Sequence, residues 1–435
     1  MLNLIKKGLQ NKFLQQSIVT FGLRGMGVAF LFAITILMTR SFAPEAVGQY
    51  EFIRIFLLIL GSVSLVGTDV SIIYFAGKLR ANNSFSTLKN TYYSMIKMVL
   101  CIAVAIILFF FIFIKEESVN LYFQQDVYSI IKKAVFFLPF YIITLLNTET
   151  LRALERPVLS ELFRNIFKYC PLAVGLIVAL TTDLSYSIAE YYIYGFLFLF
   201  LVSQCSIWYC FRRVDYRDRA NLIFSNKEII KHSLPMGISS IVLFLFMGVD
   251  VFLLKKYYDD DWIAYYAVAI KLITILSMVI LSININCSPR ISELFSMSDK
   301  KNLQLLCKKT ANFTFKANVV VGLFLIVFIK SILTFFGEQY VVIQDTFYIL
   351  IVSQLVTSAF GVVPVYLNMT GRSLVFQFIL IITLIINVIM NIILIPLYGT
   401  IGAAITFTFS VVFWNLIVFI YVYRKDGINL FFLSA

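Results

Sequence analysis

The chain has 435 residues, of which 60% are hydrophobic and only 14% charged, and its mean hydropathy is +0.91. Folded soluble proteins carry about 25% charged residues, so a soluble enzyme or binding domain of this length is excluded and the main solvent is lipid. The net charge of +13 would suggest nucleic acid in a soluble protein; in a membrane chain it follows from Lys and Arg gathering in cytoplasmic loops, and no nucleic-acid partner is expected.

Met1 to Gln16 is polar and basic with scattered Leu, Ile and Phe, and no small-residue cleavage pattern follows it, so the first apolar run is expected to be retained. Apolar runs then fall at 14–38, 47–68, 92–114, 131–151, 164–182, 188–211, 233–255, 263–286, 312–336, 345–368, 374–395 and 400–423. A spanning helix needs about 20 apolar residues, and backbone groups in lipid must be satisfied within the segment. The runs are continuous, without the polar–apolar alternation of a barrel strand. The expectation is an all-α integral membrane protein of about twelve transmembrane helices.

With the N-terminus inside, the segments facing the cytoplasm hold 27 of the 36 Lys and Arg. That bias places both termini in the cytoplasm. The outer loops are short; the longest, around Lys115 to Lys132, is too small for a catalytic domain, and Asp259 to Asp261 reads as a solvated turn. The six cysteines show no C-x-x-C pair or metal-site spacing and read as small apolar fillers. No nucleotide or metal motif appears, so no cofactor or metal is expected.

A shift of 216 residues sets Arg40 on Lys256, Gly48 on Ala264, Tyr50 on Tyr266, Leu151 on Leu367 and Arg156 on Arg372, each at the same place relative to its run. Together with the helix spacing this argues for two homologous six-helix bundles, residues 1–215 and 216–435. Six is even, so both halves enter the membrane the same way and are expected to be related by an axis along the membrane normal, with a central cleft between them. A cleft open to one side at a time is the geometry of a carrier.

The run Arg40-Ser-Phe-Ala-Pro-Glu-Ala-Val-Gly-Gln-Tyr50 resembles a loop of the multidrug/oligosaccharidyl-lipid/polysaccharide (MOP) exporter superfamily. So do Leu234-Pro235 followed by Asp250, the turn Leu367-Asn368-Met369-Thr370-Gly371-Arg372, and Ile395-Pro396-Leu397-Tyr398-Gly399-Thr400-Ile401-Gly402-Ala403-Ala404. The resemblance covers essentially the whole chain, and the order of the motifs makes it specific. Length and helix number are most similar to the polysaccharide-transporter branch, the Wzx-type flippases of O-antigen or capsule repeat units. The resemblance implies a bacterial inner-membrane protein of polysaccharide or lipopolysaccharide biosynthesis. It would move an undecaprenyl-diphosphate-linked oligosaccharide from the cytoplasmic to the outer leaflet, with membrane lipid around it and a glycan polymerase and chain-length regulator as candidate partners.

Charged side chains near the bilayer centre cost about 2.5–3.5 kcal/mol each on insertion scales, so those inside apolar runs should face protein or water. Arg24, Arg54, Lys271 and Arg290 are the candidates for holding the diphosphate and sugar, because Arg binds phosphate through two parallel hydrogen bonds. Ser17, Thr20 and Arg24 share one face of the first helix. Arg54 has Glu51 one turn away as a rival partner, and Arg290 and Lys97 read equally as interface anchors. Asp69 and Asp250 are the acids placed to couple transport to H+ or Na+, since a buried carboxylate can change protonation during a cycle; pairing with a cation is their other reading. Glu149 and Arg152 read as a local pair. Gln354, Ser358, Gly361 and Asn368 are expected on one face of the tenth helix, with Pro364 bending it, and Asn387 and Asn391 on one face of the eleventh.

The reading is therefore a carrier and not an enzyme. Its rivals are a multidrug or cation antiporter on the same scaffold, which would want acidic walls, and a membrane glycan polymerase or ligase, which would want an outer-face catalytic pocket.

Overall fold

The computed structural model describes residues 12–82, 84–181, 187–213 and 222–431, and all regular structure among them is helical. Eleven helical segments among the described residues are long and apolar enough to cross a membrane. The last, Ser373–Asp426, is a 54-residue run broken at Gly399 (φ 55°, ψ −131°), so it supplies both of the final two apolar runs. A Cβ at that left-handed position would also press on the Tyr258 ring, 3.2 Å away, which leaves glycine as the residue that fits.

The chain divides into two compact units, Met1–Phe244 and Leu245–Ala435. The expected boundary at 215/216 falls in 214–221, outside the described residues.

The first unit contains α1 (Lys12–Ser41), α2 (Pro44–Leu65), α3 (Thr68–Ala81), α4 (Leu88–Phe113), α5 (Glu116–Phe123), α6 (Tyr128–Ala153), α7 (Pro157–Asn165), α8 (Cys170–Thr181) and α9 (Ile188–Arg212), with most of α10 (Asn226–Phe246). The second span is not one continuous helix. Val66 (φ 49°) and Gly67 (φ 78°) both turn left-handed and separate α2 from α3. A Cβ on Gly67 would lie 2.3 Å from the Gly237 nitrogen and the Ser233 oxygen, so the break exists where two backbones touch. The Ser71 and Ser233 hydroxyls, 2.6 Å apart, close the same contact.

The second unit contains α11 (Val249–Tyr257), α12 (Asp260–Ser296), α13 (Lys300–Phe336), α14 (Gln344–Phe360), α15 (Val363–Met369) and α16 (Ser373–Asp426). At 37 residues each, α12 and α13 are about 55 Å long, well beyond a hydrocarbon core of about 30 Å. Asp299 caps α13 by accepting from the Asn302 amide (3.1 Å).

Three expectations are corrected here. Asp259 to Asp261 is not simply a solvated turn: Asp260 is buried and bonded to Lys255 at 2.6 Å, with Lys255 only 1% exposed. A buried lysine needs a charge partner, and the turn supplies it. The tenth span is broken at Gly361 (φ 63°), where a Cβ would lie 2.7 Å from that of Ala311. Gly361 makes the break, and Pro364 lies in the first turn of α15, where its missing N–H costs nothing. Asn368 consequently does not continue the face of Gln354 and Ser358; it is exposed on a separate helix.

The two units share internal details at the 216-residue offset. The ends of α1 and α11 (Ser41, Tyr257), the starts of α2 and α12 (Pro44, Asp260), the starts of α6 and α14 (Tyr128, Gln344) and the starts of α7 and α16 (Pro157, Ser373) all correspond. So do the Arg156 N–H to Leu151 carbonyl bond and the Arg372 N–H to Leu367 carbonyl bond, each 2.9 Å. Between them Glu155 (φ 59°) and Gly371 (φ 74°) adopt the same left-handed turn.

Candidate functional site

The first unit encloses a cavity of about 510 Å³, within the usual range of about 300–1,000 Å³ for small-molecule sites. Three helix faces build most of it. Arg54, Leu58, Ser62 and Leu65 follow one stripe of α2, and Asp69 and Ile73 continue the wall on α3. On α6, Tyr141, Thr144, Thr148 and Arg152 recur at three- and four-residue spacing, which brings them to one face, with Glu149 one turn before Arg152 beside them. The hydroxyls of Thr144 and Thr148 donate to the carbonyls one turn back (2.7 and 2.8 Å), so a polar stripe is tolerated on an otherwise apolar helix.

Arg164 on α7 and Lys168 in the 3-10 turn after it (Phe167–Tyr169) complete the charged wall. The lining thus holds four cations (Arg54, Arg152, Arg164, Lys168) against two acids (Asp69, Glu149). Aromatic rings line the cavity as well: Tyr192 and Phe196 are edge-on at 5.1 Å, Tyr141 and Phe196 at 4.6 Å, and the Lys168 ammonium sits 4.7 Å over the Tyr169 ring. Gly61 leaves room for Tyr141, whose ring would be 2.5 Å from a Cβ there.

Three of the four cations are already paired with carboxylates. Arg54 Nε donates to Glu51 at 2.8 Å, and Glu51 is only 1% exposed. Arg164 bonds to Glu149, and Arg152 lies 3.7 Å from the other oxygen of Glu149. Glu161, absent from the sequence-derived candidates, is the hub beneath them. It is 1% exposed and accepts from Arg24 Nε (3.1 Å) and Nη2 (2.7 Å), Arg152 Nη2 (2.8 Å) and Asn165 Nδ2 (2.7 Å). One buried carboxylate therefore ties α1 and α6 to α7. The α1–α7 approach is close, since a Cβ on Gly27 would be 2.5 Å from that of Asn165.

Of the residues expected to bind substrate, Arg54 and the ion-coupling candidate Asp69 line the cavity together. Arg24 stands behind the wall, reaching it through Glu161 and Arg152. Lys271, Arg290 and Asp250 belong to the second unit. Lys271 is buried in α12; Arg290 is exposed and pairs with Glu293 at 2.6 Å. Asp250, buried just after the α10–α11 break, accepts from the Tyr266 hydroxyl (2.5 Å) and the Val251 amide (2.9 Å). Asn387 donates to Ser410 across the break in α16, and Asn391 donates to Asn387 on the same side of it, both at 3.0 Å. Among the described residues no group of His, Cys, Asp and Glu could hold a metal ion.

The fold is shared with known carriers. The chain superposes on a multidrug resistance MATE family transporter of the MOP superfamily in its inward-facing conformation with a TM-score of 0.71 at 15% identity, covering 94% of this chain and 98% of that one. The lipid II flippase MurJ in an inward closed conformation gives 0.70 at 16% identity, covering 94% and 87%. A MOP superfamily transporter from Pyrococcus furiosus, described as having a binding pocket of reversed polarity, gives 0.63 at 18% identity with 95% of both chains covered. These likenesses show the fold, that of a multi-pass helical membrane protein. Residues 13–295, well over half of the chain, match the family described as polysaccharide biosynthesis protein, and the chain belongs to that family. Residues 235–393 match the MatE family. Comparison with curated protein sequences returns no match.

Proposed function

We propose that this protein is a flippase that carries an undecaprenyl-diphosphate-linked oligosaccharide, an O-antigen or capsule repeat unit, from the cytoplasmic to the outer leaflet of a bacterial inner membrane by alternating access. The observation that carries the reading is the sign and texture of the cavity: four cations to two acids, with Tyr141, Tyr169, Tyr192 and Phe196. Guanidinium forks match phosphate oxygens, and tyrosine edges and faces suit sugar rings, which present an apolar face and a polar rim. An exporter of cationic drugs would be served by the opposite sign. The family, which is one of polysaccharide biosynthesis, supports the same choice.

In this reading Arg54 contacts the diphosphate directly, with Arg152, Arg164 and Lys168, and Arg24 positions Arg152 through Glu161. Lys271, buried in the second unit, and exposed Arg290, suited to headgroup level, remain separate candidates for the anionic substrate. Asp69, on the cavity wall, and Asp250, in the break of the seventh span, are the candidates for H+ or Na+ coupling. The test is surface glycan in cells that depend on this chain. Arg54→Gln and Lys168→Gln should each remove most of it while the protein still inserts, and full glycan from both would overturn the proposal.

A further inference from the structure

Two carboxylates meet the Arg152 and Arg164 pair, and they differ in kind. Glu161 lies outside the lining, is 1% exposed and accepts four hydrogen bonds from three residues. It is fixed. Glu149 lies in the lining and is 17% exposed. One of its oxygens takes Arg164, and among the described residues the other has only the 3.7 Å contact to Arg152, whose Nη2 is held by Glu161 instead.

We infer that Glu149 is a built-in competitor for the anionic headgroup, occupying the subsite that Arg152 and Arg164 offer to a phosphate. This rests on the cavity being the anion site. The chemistry is one of exchange. A carboxylate presents two oxygens to a guanidinium much as one phosphoryl group does, and a fork engaged by one cannot be fully engaged by the other. The incoming phosphate takes Arg164 and the free side of Arg152, and the Glu149 side chain swings into the cavity space beside Asp69.

Exchange has two consequences for a carrier. With no substrate, Arg164 and Arg152 remain neutralised, so the empty protein can return without exposing a bare cationic pair to a low-dielectric interior. With substrate, part of the attraction is spent on displacing Glu149, which weakens binding and lets the product leave. A cavity of bare arginines would bind an anion tightly and release it slowly; Glu149 sets the balance.

The experiment uses the full chain in nanodiscs with radiolabelled inorganic pyrophosphate as probe. Glu149→Gln removes the competing charge and keeps the shape, so pyrophosphate should bind about tenfold tighter or more, while Arg164→Gln should weaken binding. Glu149→Asp, which withdraws the carboxylate by one methylene, should tighten it in the same direction by less and serves if the Gln variant does not fold. In proteoliposomes the Gln variant should flip lipid-linked substrate more slowly at saturation. If Arg164→Gln weakens binding but neither Glu149 variant tightens it, the competitor is refuted and the cavity stands. If Arg164→Gln leaves binding unchanged, or nothing binds, the anion-site reading fails and this inference with it.

Discussion

The Glu161 hub makes the sharpest quantitative prediction. Glu161→Gln keeps the volume but replaces one acceptor oxygen by a donor amide facing Arg24, Arg152 and Asn165, all donors. Hydrogen bonds to charged groups contribute about 1.5–3 kcal/mol when buried, but Arg24 and Arg152 are 33% and 31% exposed, so solvent screens them. Allowing about 1 kcal/mol for each pair and a similar cost for the misplaced donor, the loss should be about 2–3 kcal/mol in all. For a cooperative unit the length of Met1–Phe244, that is a drop of about 4–12 °C in melting midpoint. Thermal unfolding of the purified protein at one fixed heating rate measures it. A cycle with Arg24→Gln adds the specific readout: the double variant should be no less stable than Glu161→Gln alone, because the partner charge is already gone. Unchanged melting in Glu161→Gln, or fully additive losses in the double, would refute the hub.

Other predictions follow from single contacts. Gly67→Ala should sharply lower the yield of folded protein, because its Cβ would meet the Ser233 oxygen and Gly237 nitrogen at 2.3 Å; fluorescence-detected size exclusion reads this, and a normal monodisperse peak would contradict the backbone contact. Lys255→Met should destabilise by about 3–5 kcal/mol by removing the cation that pairs with buried Asp260, and adding Asp260→Leu should restore much of that; a double variant worse than the single would count against the pair. Gly361→Ala should lose folded protein while Pro364→Ala keeps it, since the break in the tenth span belongs to the glycine. The reverse order would return the hinge to the proline.

Much of the scaffold was legible in the sequence because lipid imposes one simple rule, a run of about 20 apolar residues per crossing. Even the break at Gly399 is visible as the Tyr398-Gly399-Thr400 turn between two runs. The break at Val66–Gly67 is not. It rests on a positive φ at a β-branched residue and on contact with Gly237, and neither leaves a mark in the local pattern. The site divides along similar lines. Arg54 and Asp69 are readable because a charge inside an apolar run must have a reason. Glu161, Arg164 and Lys168, at the edge of the fifth run, look like cytoplasmic-edge charges. Only the fold brings Glu161 to Arg24, 137 residues away. Asp260 was misread for the same reason: its burial comes from Lys255 packing across a helix break.

Under the proposed function, cavity cations in the first unit recognise a lipid-linked diphosphate during transport. The most direct test is a proteoliposome assay with a fluorescent polyprenyl-diphosphate oligosaccharide, scored by how fast the label passes between leaflets. The wild-type chain should move it, and Arg54→Gln with Arg164→Gln should reduce the rate to that of protein-free vesicles at equal reconstitution. Wild-type rates from that double variant, or equal transport of the same oligosaccharide on a neutral lipid, would contradict the proposal.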